Sequence, residues 1–240
     1  MATSTALITG ATGGIGLHIA RQFAERGWTV LVGARDAARG WEAAAEFGGR
    51  PLLLDVTDGD TIAAAAAAVS ELDALVNNAG ISLDTGAPVT ETDVEVFRRT
   101  YETNVFGVAA VTNAFLPALR RSAHPRIVNV SSGTGSLTWS TGPNPQFDYQ
   151  AAGTGSGAAY RSSKTALNAL TVFYAQALAG DGIKVNALAP GVRATNLNPR
   201  AATVGGDPAE AAAGAVRLAL LADDGPTGQL FSWDGTVVPW

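Results

Sequence analysis

The chain has 240 residues, 47% of them hydrophobic and 15% charged, so it can bury a substantial core and is too apolar to stay disordered. Its formal net charge of −5, with no basic stripe, excludes a nucleic-acid partner. With no cysteine, and only His18 and His124 far apart in sequence, it offers neither a disulfide framework nor a metal site.

The start of the chain lacks a basic segment followed by a long apolar run, and no later run is long enough to span a bilayer. A cytoplasmic protein with no membrane partner is therefore expected. Ala6-Leu7-Ile8-Thr9 reads as a short buried strand, followed by Gly10-Ala11-Thr12-Gly13-Gly14-Ile15-Gly16 and a helix carrying Leu17, Ile19, Ala20 and Phe23. Strand, glycine loop and helix in that order form a phosphate cradle: glycine lets the backbone approach a pyrophosphate, and the helix start offers free N–H groups. A second strand, Trp28–Gly33, ends at Ala34-Arg35-Asp36. A carboxylate at such a strand end holds ribose hydroxyls; here Ala34 takes that place and Arg35 follows, which suits a 2′-phosphate. Asp36 is placed to cap the next helix, and Arg39 is either a second phosphate contact or solvated.

Pro51–Val56 reads as a third strand, with Asp58 opening an alanine-rich helix over Ile62–Val69. Asp73–Val76 is a fourth strand, ending in Asn77-Asn78-Ala79-Gly80. A long helical region from about Glu91 to Arg120 precedes the strand Arg126–Val130, which ends at Ser131-Ser132. Next comes Tyr160-Arg161-Ser162-Ser163-Lys164 with an apolar run at helical spacing, placing Tyr160 and Lys164 one turn apart on one face. One cation ~4 Å from a phenol, at an effective dielectric of ~20, supplies about the 4 kcal/mol needed to bring a tyrosine from pKa ~10 to near 7. The strand Lys184–Leu188, a loop at Pro190-Gly191, a helix near Ala209–Leu221 and a strand Gly228–Trp233 complete the chain. Strands and helices alternate throughout, with no repeat and no linker. The expectation is one domain over residues 1–240, a doubly wound (Rossmann) sheet of about seven parallel strands with helices on both faces.

Taken together, these segments resemble the short-chain dehydrogenase/reductase family in its single-domain branch, over almost the whole chain. Thr9-Gly10, Gly14-Ile15-Gly16 resemble its cofactor loop, Asn77–Gly80 its mid-sheet motif, and Pro190-Gly191-Val192-Arg193-Ala194-Thr195 its loop over the nicotinamide. Asn104, Ser132, Tyr160 and Lys164 match its catalytic four. The resemblance implies that Tyr160 donates a proton to a substrate carbonyl oxygen, and that Lys164 lowers the tyrosine pKa and binds the nicotinamide ribose. It further implies that Ser132 holds the carbonyl, Ser131 competing for that place until strand register is known. Asn104 is implied to kink its helix and hold a water that relays protons to Lys164. The implied cofactor contacts are Gly10, Thr12, Gly14, Ile15 and Gly16 in the loop, and Arg35, Asp55 and Val56 at the next two strand ends. Asn78, Ala79 and Gly80, then Pro190, Gly191, Val192 and Thr195, complete them together with Tyr160 and Lys164.

Between Ser132 and Tyr160 lie 27 residues, roughly twice the family's usual separation. The inserted segment, from about Thr134 to Gly157, is rich in Gly, Pro, Ser, Thr and Asn and reads as a loop without an added helix. Its Leu137, Trp139, Phe147 and Tyr149 are expected to fold over the outer face of the Glu91–Arg120 and tyrosine helices and border the substrate cleft, giving a monomer, with a dimer or tetramer as the alternatives. With Arg35 and the closing Trp233–Trp240, the insertion resembles the carbonyl-reductase-like members. NADP(H) is the expected cofactor, NAD(H) the alternative, and a small-molecule ketone, aldehyde or alcohol the substrate. Thr12-Gly13 departs from the basic residue that many NADP users carry in the glycine loop. Two alternatives stand beside this reading. One is a reductase of thioester-bound 3-ketoacyl groups, for which Arg193 and Arg200 are the basic residues placed to receive a carrier. The other is a non-catalytic dinucleotide-sensing protein.

Overall fold

A computed structural model describes residues 3–144, 155–197 and 199–240. Among them, eight strands form one sheet in the order β3-β2-β1-β4-β5-β6-β7-β8. The strands are β1 Thr5–Thr9, β2 Thr29–Ala34, β3 Arg50–Leu53, β4 Ala74–Asn77, β5 Arg126–Val130, β6 Lys184–Ala189, β7 Leu230–Ser232 and β8 Val237–Val238. The first seven pair in parallel, as expected. The two-residue β8 pairs antiparallel to β7 and extends the sheet by one short strand.

Both faces are covered because the central strands carry apolar residues at successive positions, one pointing each way. Ala6 and Ile8 of β1 join Val30 and Val32 of β2 in one core, under helices α1 (Gly14–Glu25) and α9 (Pro208–Ala219). Leu7 and Leu31, one residue out of phase, enter the other core. That second core lies beneath α3 (Gly59–Ala67), α5 (Gly107–Leu119) and α7 (Ala158–Ala177). Asp36 caps α2 (Ala37–Ala45) through the Arg39 N–H, and Asp58 caps α3 through the Asp60 and Thr61 N–H groups, as the sequence suggested. A buried polar relay, Asn77 to Asn129 at 2.9 Å and Asn129 to Thr171 at 2.9 Å, ties β4 and β5 to α7.

Two local expectations change. The region read as one helix from Glu91 to Arg120 is α4 (Val94–Tyr101) and α5 joined through a π-helical turn, Glu102–Phe106. The inserted segment contains a short helix, α6 (Leu137–Thr141), where a loop was expected. Ser136 starts it by accepting the Trp139 N–H, and Gly142 ends it. Ser136 and Thr138 also donate to the carbonyls of Pro239 and Trp240, at 2.6 Å each. Trp139 accordingly packs on Ala187, Ala189, Leu230 and Val238 at the β6–β8 end of the sheet, not on the outer face of the helices. Leu137 is exposed, and Phe147 and Tyr149 lie outside the described residues. The remaining helix, α8 (Pro199–Val204), follows β6.

Candidate active site

The strand order reverses between β1, which leads outward to β2 and β3, and β4, which leads the other way. The crevice above the C-terminal ends of these two strands is where an open α/β sheet accepts a ligand. β1 delivers the glycine loop there. Gly10 (φ +64°) and Gly14 (φ +52°) hold left-handed backbone that other residues resist, and a Cβ on Gly10 would lie 3.0 Å from Ala79 Cα. At α1 the N-cap is Gly13, which has no side chain to satisfy the first N–H groups, so they remain available to an anion. Gly16 does not line the crevice. A Cβ there would press on Asn78 Nδ2 and lie 2.6 Å from the Gly10 carbonyl oxygen, so this glycine allows close packing under the loop.

Asn78 and Thr9 stitch the loop to β4. Thr9 Oγ1 accepts the N–H groups of Asn78 (3.0 Å) and Ala79 (2.9 Å), while Asn78 Nδ2 donates to the carbonyls of Thr9 (2.9 Å) and Gly10 (3.2 Å). Thr9 opens the motif that resembles the cofactor loop, but the sequence did not single it out as a site residue.

On the opposite wall, α7 presents Tyr160 and Lys164. Lys164 is 4% exposed and donates to the Val130 carbonyl at 2.8 Å, its Nζ 5.6 Å from the centre of the Tyr160 ring. Burial lowers its pKa from 10.5 to about 8, because the ammonium has lost most of its hydration. Gly80 faces this group: a Cβ there would sit 3.5 Å from Lys164 Nζ and 3.4 Å from Asn104 Oδ1.

Asn104 sits in the π-helical turn, fully buried. Its Oδ1 accepts the Ile81 N–H, and its Nδ2 donates to the Ile81 carbonyl and to Ser163 Oγ, all at 2.9–3.0 Å. The side chain is thus engaged by the loop after β4. The helix distortion expected of this residue is present; such turns free backbone groups from the helical ladder.

Strand register separates the two serines. Ser131 is 1% exposed, and its hydroxyl donates to Asn168 Oδ1 at 2.5 Å, turned into the packing behind α7. Ser132 is half-buried and pairs with Thr134 Oγ1 at 2.9 Å. Of the two, the Ser132 hydroxyl is the one not engaged by α7.

The cleft between these walls has a volume of about 750 Å³. It brings together Gly10, Thr12, Gly14, Ile15, Arg35, Asp55 and Val56 with Asn78, Ala79, Gly80, Tyr160, Lys164, Pro190 and Thr195. Gly16, Asn104, Ser132, Gly191 and Val192 are not among its lining residues, whereas Ser131, the other serine at the end of β5, is. Arg39 is, and so are Thr57, Arg99 and Glu102, which sequence reasoning passed over. Arg35 and Arg39 are both exposed, and among the described residues neither forms an ion pair. Ala34 is buried, its Cβ directed toward α2, where a Cβ on Gly40 would lie 3.1 Å away. Asp55 is occupied locally, accepting the N–H and hydroxyl of Thr57 at 2.9 and 2.8 Å.

Arg193 departs from its expected place at the mouth. It is 6% exposed, donates to the Pro190 carbonyl (2.6 Å) and Glu210 (2.5 Å), and stacks on Trp233 at 4.4 Å. It fastens the base of the segment that carries Thr195, Asn196 and Leu197 over the cleft. The side chain of Arg200 lies outside what is described.

The residues present fit a dinucleotide: a glycine cradle with little room for side chains, an open helix N-terminus, and two unpaired cations at one end of the cleft with a buried lysine at the other. Among the described residues no cluster of metal-binding side chains occurs, and no helix is long and apolar enough to cross a membrane.

Comparison with known proteins agrees with this arrangement. A family model described as short chain dehydrogenase matches residues 4–145 and 148–203. A short-chain dehydrogenase of Penicillium roqueforti is 38% identical over 206 residues, covering 80% of this chain and 79% of its own. The galactitol 2-dehydrogenase (L-tagatose-forming) of Cereibacter sphaeroides is 35% identical, over 98% of this chain and 95% of that one. Among solved structures, the NADPH-bound carbonyl reductase from chicken fatty liver superposes with a TM-score of 0.81 at 26% identity, over 100% of each chain.

Proposed function

We propose, from the premise that this chain belongs to the short-chain dehydrogenase family, that it is an NADP(H)-dependent carbonyl reductase. In the reverse direction it acts as an alcohol dehydrogenase. The observation that carries the reading is the placement of Tyr160 and buried Lys164 in the same cleft as the glycine loop and the Arg35/Arg39 pair. A bound nicotinamide supplies the hydride. The protein's own part is to hold that group and to move one proton.

Tyr160 is the general acid in reduction and the general base in oxidation. At pH 7 a Lys164 with a pKa of about 8 remains mostly protonated, and its charge favours the phenolate form of the nearby tyrosine. Ser132 orients the substrate carbonyl, a positioning role that needs a half-exposed hydroxyl. Asn104 keeps the loop after β4 against the catalytic helix. Ile81, Leu83 and Leu197 line the cleft and make its substrate side apolar, which suits a small to medium ketone or aldehyde. Arg35 and Arg39 favour a cofactor bearing a 2′-phosphate, because no carboxylate stands at Ala34 to compete for the ribose hydroxyls. NAD(H) is the alternative cofactor.

The engagement of Arg193 by Glu210 and Trp233 speaks against the carrier-bound 3-ketoacyl reading, since that guanidinium does not face the mouth. Tyr160 and Lys164 together speak against a non-catalytic sensor. The reading includes a cytoplasmic enzyme whose one domain holds both cofactor and catalytic groups. It also keeps the monomer as the expected state. Light scattering is expected to give 24.4 kDa; a mass near four times that contradicts the monomer. The test of function is NADPH oxidation against a panel of ketones and aldehydes, with NADH in parallel. Turnover of at least one carbonyl with NADPH preferred is expected; no turnover of any, or equal use of NADH, overturns the corresponding part.

A further inference from the structure

The catalytic helix α7 begins at Gly157, whose backbone is left-handed (φ +73°) and which has no side chain to cap the helix. The cap comes from elsewhere in the chain. The Asp84 carboxylate accepts the Ala159 N–H on one oxygen (3.1 Å) and the Tyr160 N–H on the other (2.9 Å). A carboxylate on the first N–H groups of a helix forms charge-assisted hydrogen bonds and meets the positive end of the helix dipole.

Asp84 lies three residues beyond Ile81, which Asn104 grips by both backbone groups. Asn104 also donates to Ser163 Oγ (3.0 Å), and Ser163 donates to the Tyr160 carbonyl (2.7 Å). The N–H and the C=O of Tyr160 are therefore both tied, by separate routes, to the same short segment, Ile81–Asp84. That segment contributes Ile81 and Leu83 to the cleft wall. Val89, further along the same loop, is where a Cβ on Gly155 would come to rest, 3.2 Å away. The end of the insertion thus approaches the short helical turn Val89–Glu91 that follows this segment.

We propose that Asp84 is a positioning residue for Tyr160: by capping α7 from the loop after β4 it sets the height of the phenol relative to the cleft wall. The proposal rests on Tyr160 being the proton donor. A displacement of about 1 Å in such a group can cost on the order of 100-fold in rate.

The test compares Asp84→Ala and Asp84→Asn with Asp58→Ala, which removes a cap of the same kind from α3. Measured are kcat, KM for a carbonyl substrate, NADPH affinity by fluorescence, and Tm. Asp84→Ala is expected to lower kcat by about 10–100-fold, with KM and NADPH affinity within about 3-fold. Asp84→Asn, whose amide oxygen still accepts one N–H, is expected to recover at least half of that loss on a logarithmic scale. Asp58→Ala is expected to lower Tm comparably while kcat stays within about 2-fold. An Asp84→Ala enzyme within 2-fold of wild-type kcat overturns the proposal, as does an equal kcat loss in Asp58→Ala. Should Asp84→Ala fail to fold, the Asn variant decides: a kcat lowered by about 3–10-fold at unchanged NADPH affinity supports the strut, and an unchanged kcat overturns it. Tyr160→Phe in the same series separates the two claims. If it stays active, the assignment of the acid fails; if it is inactive while Asp84→Ala is fully active, only the strut fails.

Discussion

Replacing Lys164 by methionine should uncouple stability from activity, in a way that depends on pH. Burial holds the lysine at about 8 instead of 10.5, a depression worth roughly 3 kcal/mol at about 1.4 kcal/mol per pKa unit. The folded-state pKa lies below the unfolded one, so between pH 8 and 10.5 the unfolded chain binds more protons and stability rises with pH. Below about pH 8 the ammonium is charged in both states and the penalty is present in full. From pH 7 to 9.5, wild type should therefore gain ~2 kcal/mol of unfolding free energy relative to Lys164→Met. The variant also leaves the Val130 carbonyl without its donor, a cost of about 1–3 kcal/mol that is the same at both pH values. At pH 7 the two effects oppose, and the variant should lie within ~2 kcal/mol of wild type while carbonyl turnover is lost. The assay is urea unfolding of cofactor-free protein at the two pH values, taking the difference between the chains so that other titrating groups cancel. A wild-type-minus-variant difference that stays constant within ~0.5 kcal/mol from pH 7 to 9.5 would refute the assignment of a desolvated, depressed lysine.

Three further outcomes are expected. Arg35→Ala with Arg39→Ala should lower kcat/KM for NADPH by about 10–100-fold, the range for losing charge-assisted bonds to a phosphate, and leave NADH within about 3-fold; parallel losses with both cofactors would contradict a 2′-phosphate site. Gly16→Ala forces a methyl group against Asn78 and the Gly10 carbonyl, and should cost about 1–3 kcal/mol in urea unfolding and weaken NADPH binding; a neutral substitution would mean that the loop relaxes freely. Glu210→Gln removes the charged partner of buried Arg193, so it should raise KM for the carbonyl more than it lowers kcat, because the loosened segment carries Asn196 and Leu197; an unchanged KM counts against that role.

The sheet could be read from sequence because buried parallel strands appear as short apolar runs, and the glycine loop and Asn78–Gly80 fall directly after two of them, while Tyr160 and Lys164 are linked by helical spacing. All three are local patterns. What escaped depends on contacts between distant segments. The Ser131 hydroxyl is held by Asn168 on α7, a partner that no spacing rule reveals. Arg193 looked like a surface cation until Trp233 and Glu210 closed around it. Trp139 was expected on the helices, but the hydroxyls of Ser136 and Thr138 bind the carbonyls of residues 239 and 240 and turn it toward the sheet edge. Asp84, in a polar loop, gave no sign of the helix start 75 residues later that it caps.

Tyr160→Phe asks whether Tyr160 transfers the proton in a dinucleotide-dependent carbonyl reduction. The substitution keeps the ring against Lys164 and removes only the hydroxyl. With the best carbonyl from the panel, kcat should fall by at least about 100-fold, within the range for losing a general acid, while NADPH affinity stays within about 3-fold of wild type. A variant that keeps more than about a tenth of wild-type turnover, less than ~1.4 kcal/mol of added barrier, would contradict it.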